Sequence, residues 1–278
     1  MAMTDFRRQR QPLLVVASGP ERSFQVAPID AEGDVASSSM PTGPWLSGPA
    51  GRPGCGSLGV LVDDVLGYAI MLDRPADHWS VSSEISVDVC GSVPTDGSLL
   101  SAEARILRSD SRGGISSGSV VDDRGRLVAV CRQHGRWVRH LPAASSPTDG
   151  SAVPPDIRQS AEDLLELLGA QAKATSGGAE LDLMATAELV NPLGNLHGGI
   201  ALCVSDIVAH AALNAAGRPS DTASLHVAYT RPIPLGTTVR FEASVAHSGR
   251  SFGVVRVTAT NEVGKPCSIA TVAAAARA

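Results

Sequence analysis

Residues 191–206 read NPLGNLHGGIALCVSD and gather several groups able to do chemistry. Asn191-Pro192 and Gly194 predict a rigid turn. Gly198 and Gly199 then open an apolar helix. The N–H groups of a first helical turn have no intrahelical acceptor, and two glycines leave them uncovered for an approaching ligand. The positive end of the helix dipole favours an oxygen that gains negative charge. Asp206 falls well inside the same helix, where a carboxylate is costly unless it has partners. It either pairs with neighbouring backbone as a structural group, or it activates water or attacks a carbonyl while the bare amides receive the oxyanion.

The elements that must position these groups come in two similar sets. An apolar segment of helical period spans 57–72 in the first half and 199–216 in the second, and each carries acid near its middle: Val62-Asp63-Asp64-Val65 and Val204-Ser205-Asp206-Ile207. Strand-like runs follow each helix, at 79–93, 99–109, 114–121 and 127–138, then at 224–231, 238–247, 252–260 and 266–274. Val239 to Val245 alternates apolar and polar as a half-buried strand does, and Asp123-Arg-Gly125 and Glu262-Val-Gly264 read as hairpin turns. Asp64 and Asp206 are 142 residues apart, whereas Gly97 and Gly236, like Gly125 and Gly264, are 139 apart, which points to a duplicated unit with small loop insertions. The stretch HLPAASSPTDGSAVPP at 140–155 has linker composition. The expected organisation is therefore an α+β chain with a first unit over 1–140, a linker over 141–155 and a second unit over 156–278, each a helix followed by an antiparallel meander that wraps it. A further amphipathic helix is predicted over 157–168.

At this point the second half resembles a known family. Asn191-x-x-Gly194-x-x-His197-Gly198-Gly199, with Asp206 seven residues beyond the second glycine, is similar to the loop and helix of hotdog-fold acyl-CoA thioesterases of the phenylacetate-degradation type. Thr222-Ala-Ser-Leu-His-Val-Ala-Tyr-Thr-Arg-Pro232 and His247-Ser-Gly-Arg250 resemble the family's second strand and a later turn. The first half resembles it only through element order and its acid-bearing helix. The resemblance implies a double hotdog, a fused pair in place of a homodimer, hydrolysing acyl-CoA thioesters at sites between the units. Coenzyme A would enter as part of the substrate, with no other cofactor and no metal. It further implies one composite site of Asn191, His197 and Gly198 with Asp64 and Ser82, and a second of Asp206 and Thr222 with the first unit's loop. There Cys55-Gly56-Ser57 replaces His197-Gly198-Gly199 and Pro49 replaces Asn191, so Gly56 keeps an amide but the second site is expected to be impaired. Asp63 competes with Asp64 for the acid's role, and counting eight residues from the helix-opening glycine favours Asp64. Gly199, Arg231 and Arg250 are expected to bind substrate, with Arg112 a further candidate for coenzyme A phosphates. In the expected mechanism the Gly198 amide polarises the thioester carbonyl and Asp64 serves as base or nucleophile.

Other features narrow the class. Lys+Arg number 23 against 28 Asp+Glu, a net charge of −5, which argues against a broad nucleic-acid-binding face. No apolar run approaches the roughly 20 residues of a membrane span. Arg7, Arg8 and Arg10 precede an apolar run at 13–17 too short for a signal peptide. Five scattered cysteines form no metal or disulfide pattern, so a reduced, cytoplasmic protein is expected, as a monomeric double hotdog or a homodimer of it. His210 stands four residues after Asp206 without a recognised metal-ligand spacing. His226 reads as a surface or interface residue, Cys203 as core, and Trp79 and Trp137 as packing residues. The alternatives are a non-catalytic acyl-thioester binding protein and an enoyl-CoA hydratase.

Overall fold

The computed structural model describes residues 18–48, 51–139, 161–218 and 220–276. The basic arm, the linker and Pro49 lie outside these residues. The first unit runs α1 (Gly19–Ser23), β1 (Asp30–Glu32), β2 (Val35–Pro41), α2 (Gly59–Met71), β3 (Trp79–Val89), β4 (Leu99–Ser109), β5 (Gly113–Val121) and β6 (Leu127–Val138). The second repeats the order: α3 (Leu164–Leu168), β7 (Lys173–Thr175), β8 (Gly178–Met184), α4 (Gly198–Ala215), β9 (Ser220–Tyr229), β10 (Thr238–Ser248), β11 (Phe252–Asn261) and β12 (Pro266–Ala276). All strands join one antiparallel sheet, ordered β1-β2-β4-β5-β6-β3-β9-β12-β11-β10-β8-β7. Read outward from its centre, the sheet has the same strand order in both directions.

The centre is the pairing of β3 with β9, with Ser86 opposite His226 in the middle of the register. His226 is half exposed and 3.8 Å from Glu84 across this seam. The simple meander expected after each helix is corrected here. β4, β5 and β6 do form one, but β3 lies beyond β6 rather than beside β4, because it must offer one edge to β6 and the other to β9. Two hairpins, β1–β2 and β7–β8, also precede the long helices. Their outer strands are fully exposed and too short to show a period. β8 did carry a signal, since Ala179, Leu181 and Leu183 alternate inward.

Each long helix is apolar on every face because the sheet wraps it and the other helix closes it. In α2 every residue except Gly67 is buried, and α4 is buried along most of its length. By length and hydropathy α4 could cross a membrane, but 78% of it lies inside the fold, as befits a core helix. The two helices approach most closely where Gly59 and Gly199 meet backbone to backbone; a Cβ on either would collide with the other's carbonyl oxygen. The four turn glycines Gly97, Gly125, Gly236 and Gly264 all adopt positive φ, the left-handed conformation that selects glycine there. α3 is capped by Asp163, whose side chain accepts the Glu166 N–H at 2.9 Å. It docks on the first unit through Leu164 N–H and the Ser47 carbonyl.

Candidate active site

The loop before α4 is built by its own polar groups. Asn191 Oδ1 accepts the N–H groups of Leu193 (3.0 Å) and Asn195 (3.2 Å), and Gly194 takes a φ of 74°. Leu196 N–H donates to the Ile233 carbonyl and His197 N–H to the Leu189 carbonyl, which anchor the loop to its own unit. The result delivers His197 as the N-cap of α4. The Asn191 carboxamide oxygen is thus committed to the turn, and its NH2 group is what remains for a ligand.

The acid that meets the backbone amide of this helix is Asp63, one residue before the expected Asp64. Gly199 N–H donates to Asp63 Oδ2 at 2.9 Å, and Ser82 Oγ donates to Asp63 Oδ1 at 2.7 Å. On the other side Gly56 N–H donates to Asp206 Oδ2 at 2.9 Å and Thr222 Oγ1 to Asp206 Oδ1 at 2.5 Å. The reciprocal contacts pair Asp63 with Asp206, 143 residues apart, and shift the count by one. In both units the acid stands seven residues after the amide-donating glycine, Asp63 after Gly56 and Asp206 after Gly199, so the counterpart of Gly56 is Gly199 rather than Gly198.

Asp64 instead faces His197. His197 Nε2 is 3.1 Å from Asp64 Oδ1 and Nδ1 is 3.2 Å from Asp63 Oδ2, with all three side chains buried. Burial works against a charged imidazole, but Asp63 and Asp64 outweigh it and push His197 up to about 10. Burial raises Asp64 to about 7 despite the His197 hydrogen bond. A protonated imidazole donates to both carboxylates and leaves the Gly199 N–H to Asp63, whereas a neutral one accepts that N–H at Nδ1, 3.1 Å away. Half-buried Glu21 stands nearby and adds negative charge to both groups. Glu21, Asp64 and His197 place donor atoms within 4.8 Å of one another, the nearest approach to a metal-ligand set among the described residues. Glu21 is engaged by Ser18 in a capping box and His197 by two carboxylates, so we assign no ion to them.

These groups wall a cavity of about 770 Å³ between the units. Gly198 lines it, and its N–H has no acceptor among the described residues. A Cβ on Gly198 would fall 2.6 Å from Asp63 Oδ2, so only glycine lets a ligand and the carboxylate share this point. Gln133 Nε2 donates to Ser82 Oγ at 2.9 Å and Tyr229 Oη to the Gly198 carbonyl at 2.8 Å. Tyr68, Met71 and Trp79 give the cavity an apolar wall, and Arg136 and Arg231 bring positive charge to it. A smaller cavity of about 380 Å³ surrounds Asp206, Thr222, Gly56 and His210.

Of the residues expected from sequence, the structure brings Asn191, His197, Gly198, Ser82 and Asp64 to the larger cavity, with Arg231. Gly56, Asp206 and Thr222 meet at the smaller one. Gly199 lines neither: its amide holds Asp63 and its bare Cα packs on Gly59. Arg250 is exposed in the β10–β11 turn and Arg112 pairs with Asp110, both away from the cavities. Cys203 is core, and Trp137 bonds the Asp110 carbonyl. Gln133, Glu21, Arg136 and Tyr229 were not singled out. Tyr229 carried a signal, as the aromatic two residues before Arg231-Pro232; a lone Gln on a strand carried none.

Comparison with known proteins bears on the fold. Residues 193–268 match the family model of the Thioesterase superfamily. No curated protein matches the chain. The fold is similar to a protein provisionally described as a thioesterase from Novosphingobium aromaticivorans (19% identity, TM-score 0.63, covering 90% of this chain and 98% of that one). It is also similar to the tesB protein of Mycobacterium avium subs paratuberculosis (11%, 0.63, 90% and 96%) and to an acyl-ACP thioesterase from Bacteroides thetaiotaomicron (12%, 0.56, 87% and 98%). At such identities the likeness establishes the architecture. The chain has the hotdog fold in two tandem units, and residues 193–268 of the second are similar to the Thioesterase superfamily.

Proposed function

We propose that the protein hydrolyses acyl thioesters of coenzyme A in the larger cavity. The observation that carries the reading is the meeting, across the unit boundary, of the Asp63 carboxylate with the opening turn of α4. The thioester carbonyl oxygen sits at the free Gly198 N–H, where the helix dipole and the nearby imidazolium of His197 favour the developing oxyanion. One such donor is worth about 2.7–4 kcal/mol in the transition state. Asp63 is oriented by the Gly199 amide, the Ser82 hydroxyl and His197, and accepts the proton of the attacking water. General-base work of this kind contributes about 10²–10⁴-fold. Water oxygen bonds to the carbonyl carbon, the C–S bond breaks, and the thiolate recovers the proton. Tyr229 fixes the first helical turn through the Gly198 carbonyl, and Gln133 fixes Ser82. Arg136 and Arg231 suit the phosphates of coenzyme A, and the wall of Tyr68, Met71 and Trp79 suits an acyl chain. The five free thiols fit a reducing, cytoplasmic setting.

The test is release of thiol from a panel of acyl-CoAs, read with a thiol-reactive dye, for the native protein and Asp63→Asn. Long-chain acyl-CoA turnover that Asp63→Asn abolishes supports the assignment. Tight acyl-CoA binding without turnover in the native protein makes it a binding protein instead.

A further inference from the structure

We propose that the smaller cavity is a second thioester-hydrolysing site, for acyl groups shorter than those the larger cavity takes. This rests on the thioesterase reading and adds a separate place and substrate size to it. Counting back from the paired acids, each backbone-borne part of the first site has a counterpart. Gly56 N–H holds Asp206 as Gly199 N–H holds Asp63, and Thr222 bonds Asp206 as Ser82 bonds Asp63. By the same count the Cys55 N–H corresponds to the Gly198 N–H, and it likewise has no acceptor among the described residues.

The side-chain parts differ as a set. His197 is replaced by Gly54, Asp64 by Ile207, Gly67 by His210, and Gln133 by Val272. The imidazole is therefore supplied from the acid's own helix, one turn on. His210 Nε2 lies 2.7 Å from Thr222 Oγ1 and 3.7 Å from Asp206 Oδ1. His210 is only 7% exposed, lines the cavity, and leaves its Nδ1 without a protein partner. Gly54 is part of the arrangement: a Cβ there would collide with Asp206 Oδ2 and lie 3.7 Å from His210 Nε2. An unused site would shed its buried polar groups, because an unneeded buried charge costs stability. Ile207 stands at the position that corresponds to Asp64, so the helix takes an apolar residue there without loss of fold. Asp206, only 2% exposed, is an acid with its full set of partners.

In the step itself Asp206 accepts a proton from water as the water oxygen bonds to the thioester carbonyl carbon. The carbonyl electron pair moves to oxygen at the Cys55 N–H. Collapse of the tetrahedral intermediate breaks C–S, the pair leaves on sulfur, and the thiolate takes the proton back from Asp206. His210 acts through Thr222 as a positioning residue for the carboxylate. The cavity has about half the volume of the first, which limits the acyl group.

The experiment compares acetyl-CoA and lauroyl-CoA hydrolysis in native protein, Asp63→Ala, Asp63→Ala/Asp206→Ala and Asp63→Ala/Thr222→Val, each checked for folding by circular dichroism. Asp63→Ala is expected to lose lauroyl-CoA turnover at least 100-fold but acetyl-CoA turnover no more than about 10-fold. Either added substitution is expected to remove the remainder at least 10-fold. Thr222→Val, nearly isosteric, keeps the test valid if Asp206→Ala unfolds the protein. In the Asp63→Ala background His210→Gln should also alter the pH profile of the remaining acetyl-CoA turnover, which a merely structural histidine would leave in place. If Asp63→Ala shows no acetyl-CoA turnover above the double variants, the second site is not hydrolytic. If native protein hydrolyses no thioester at all, the underlying reading fails first.

Discussion

The two clusters hold their carboxylates in the same way and their imidazoles in different ways. In both, an amide from the opposite unit takes one carboxylate oxygen and a hydroxyl from the unit's own inner strand takes the other. These contacts come from backbone position and from one small side chain, so they survive wherever helix and sheet keep their places. The imidazole comes from the opposing loop in one cluster, as His197 against Asp63 and Asp64, and from the acid's own helix in the other, as His210 against Thr222. A duplicated fold thus preserves what the backbone supplies and lets long side chains drift, because a substituted side chain needs only new partners while a moved helix would need a new core.

The sharpest way to break this comparison is to remove one acid at a time. Asp63→Asn is expected to lower kcat for long acyl-CoAs by about 10²–10⁴-fold with a small change in KM, whereas Asp206→Asn leaves that turnover within about twofold. The reverse pattern in steady-state kinetics would exchange the roles of the two cavities. Next in size is Gly198→Ala, whose methyl must push on Asp63 and cover the free amide. We expect a loss of about 10²–10³ in kcat, in keeping with a lost oxyanion donor, while urea unfolding still shows a cooperative transition.

His197 separates the clusters by pH. In the fold it stays protonated to about 10, and in an unfolded chain only to about 6.5. A raised value means that its contribution to stability is complete below about 6.5 and is lost as pH climbs through 10. Asp64, raised to about 7, acts in the same direction in the window above its ordinary value of 3.8. The urea midpoint should therefore fall between pH 6.5 and 10, and His197→Gln should flatten that fall. An unchanged slope in the variant would show that the imidazole is neutral. The smallest effect belongs to Arg231→Ala, expected to raise KM for acyl-CoA a few-fold, more at low salt, without changing turnover of an N-acetylcysteamine thioester that lacks the phosphates. Equal effects on both substrates would remove coenzyme A from the reading of this cavity.

Much of this molecule was legible before its coordinates. The strands at 99–109 and 127–138 fall where alternation placed them, because a half-buried strand writes its pairing into every second residue. The helices were legible from continuous apolarity with an acid inside, and the Asn191-to-Asp206 stretch from the types of its residues. The β1–β2 hairpin was not, because exposed short strands bury too little to constrain their sequence. Nor was Gln133, whose relevance lies wholly in facing Ser82 across the sheet.

By itself the sequence determined two repeated units, their helices and turns, and a glycine-opened helix with chemistry around it, all of which depend on local periodicity and on residue type. Only the tertiary structure decided that β3 and β9 join the units, that Asp63 rather than Asp64 meets the amide of α4, and that two different histidines attend the two acids. Those outcomes depend on which face of one helix meets another, and no count within one unit tells which glycine of the other donates to its acid.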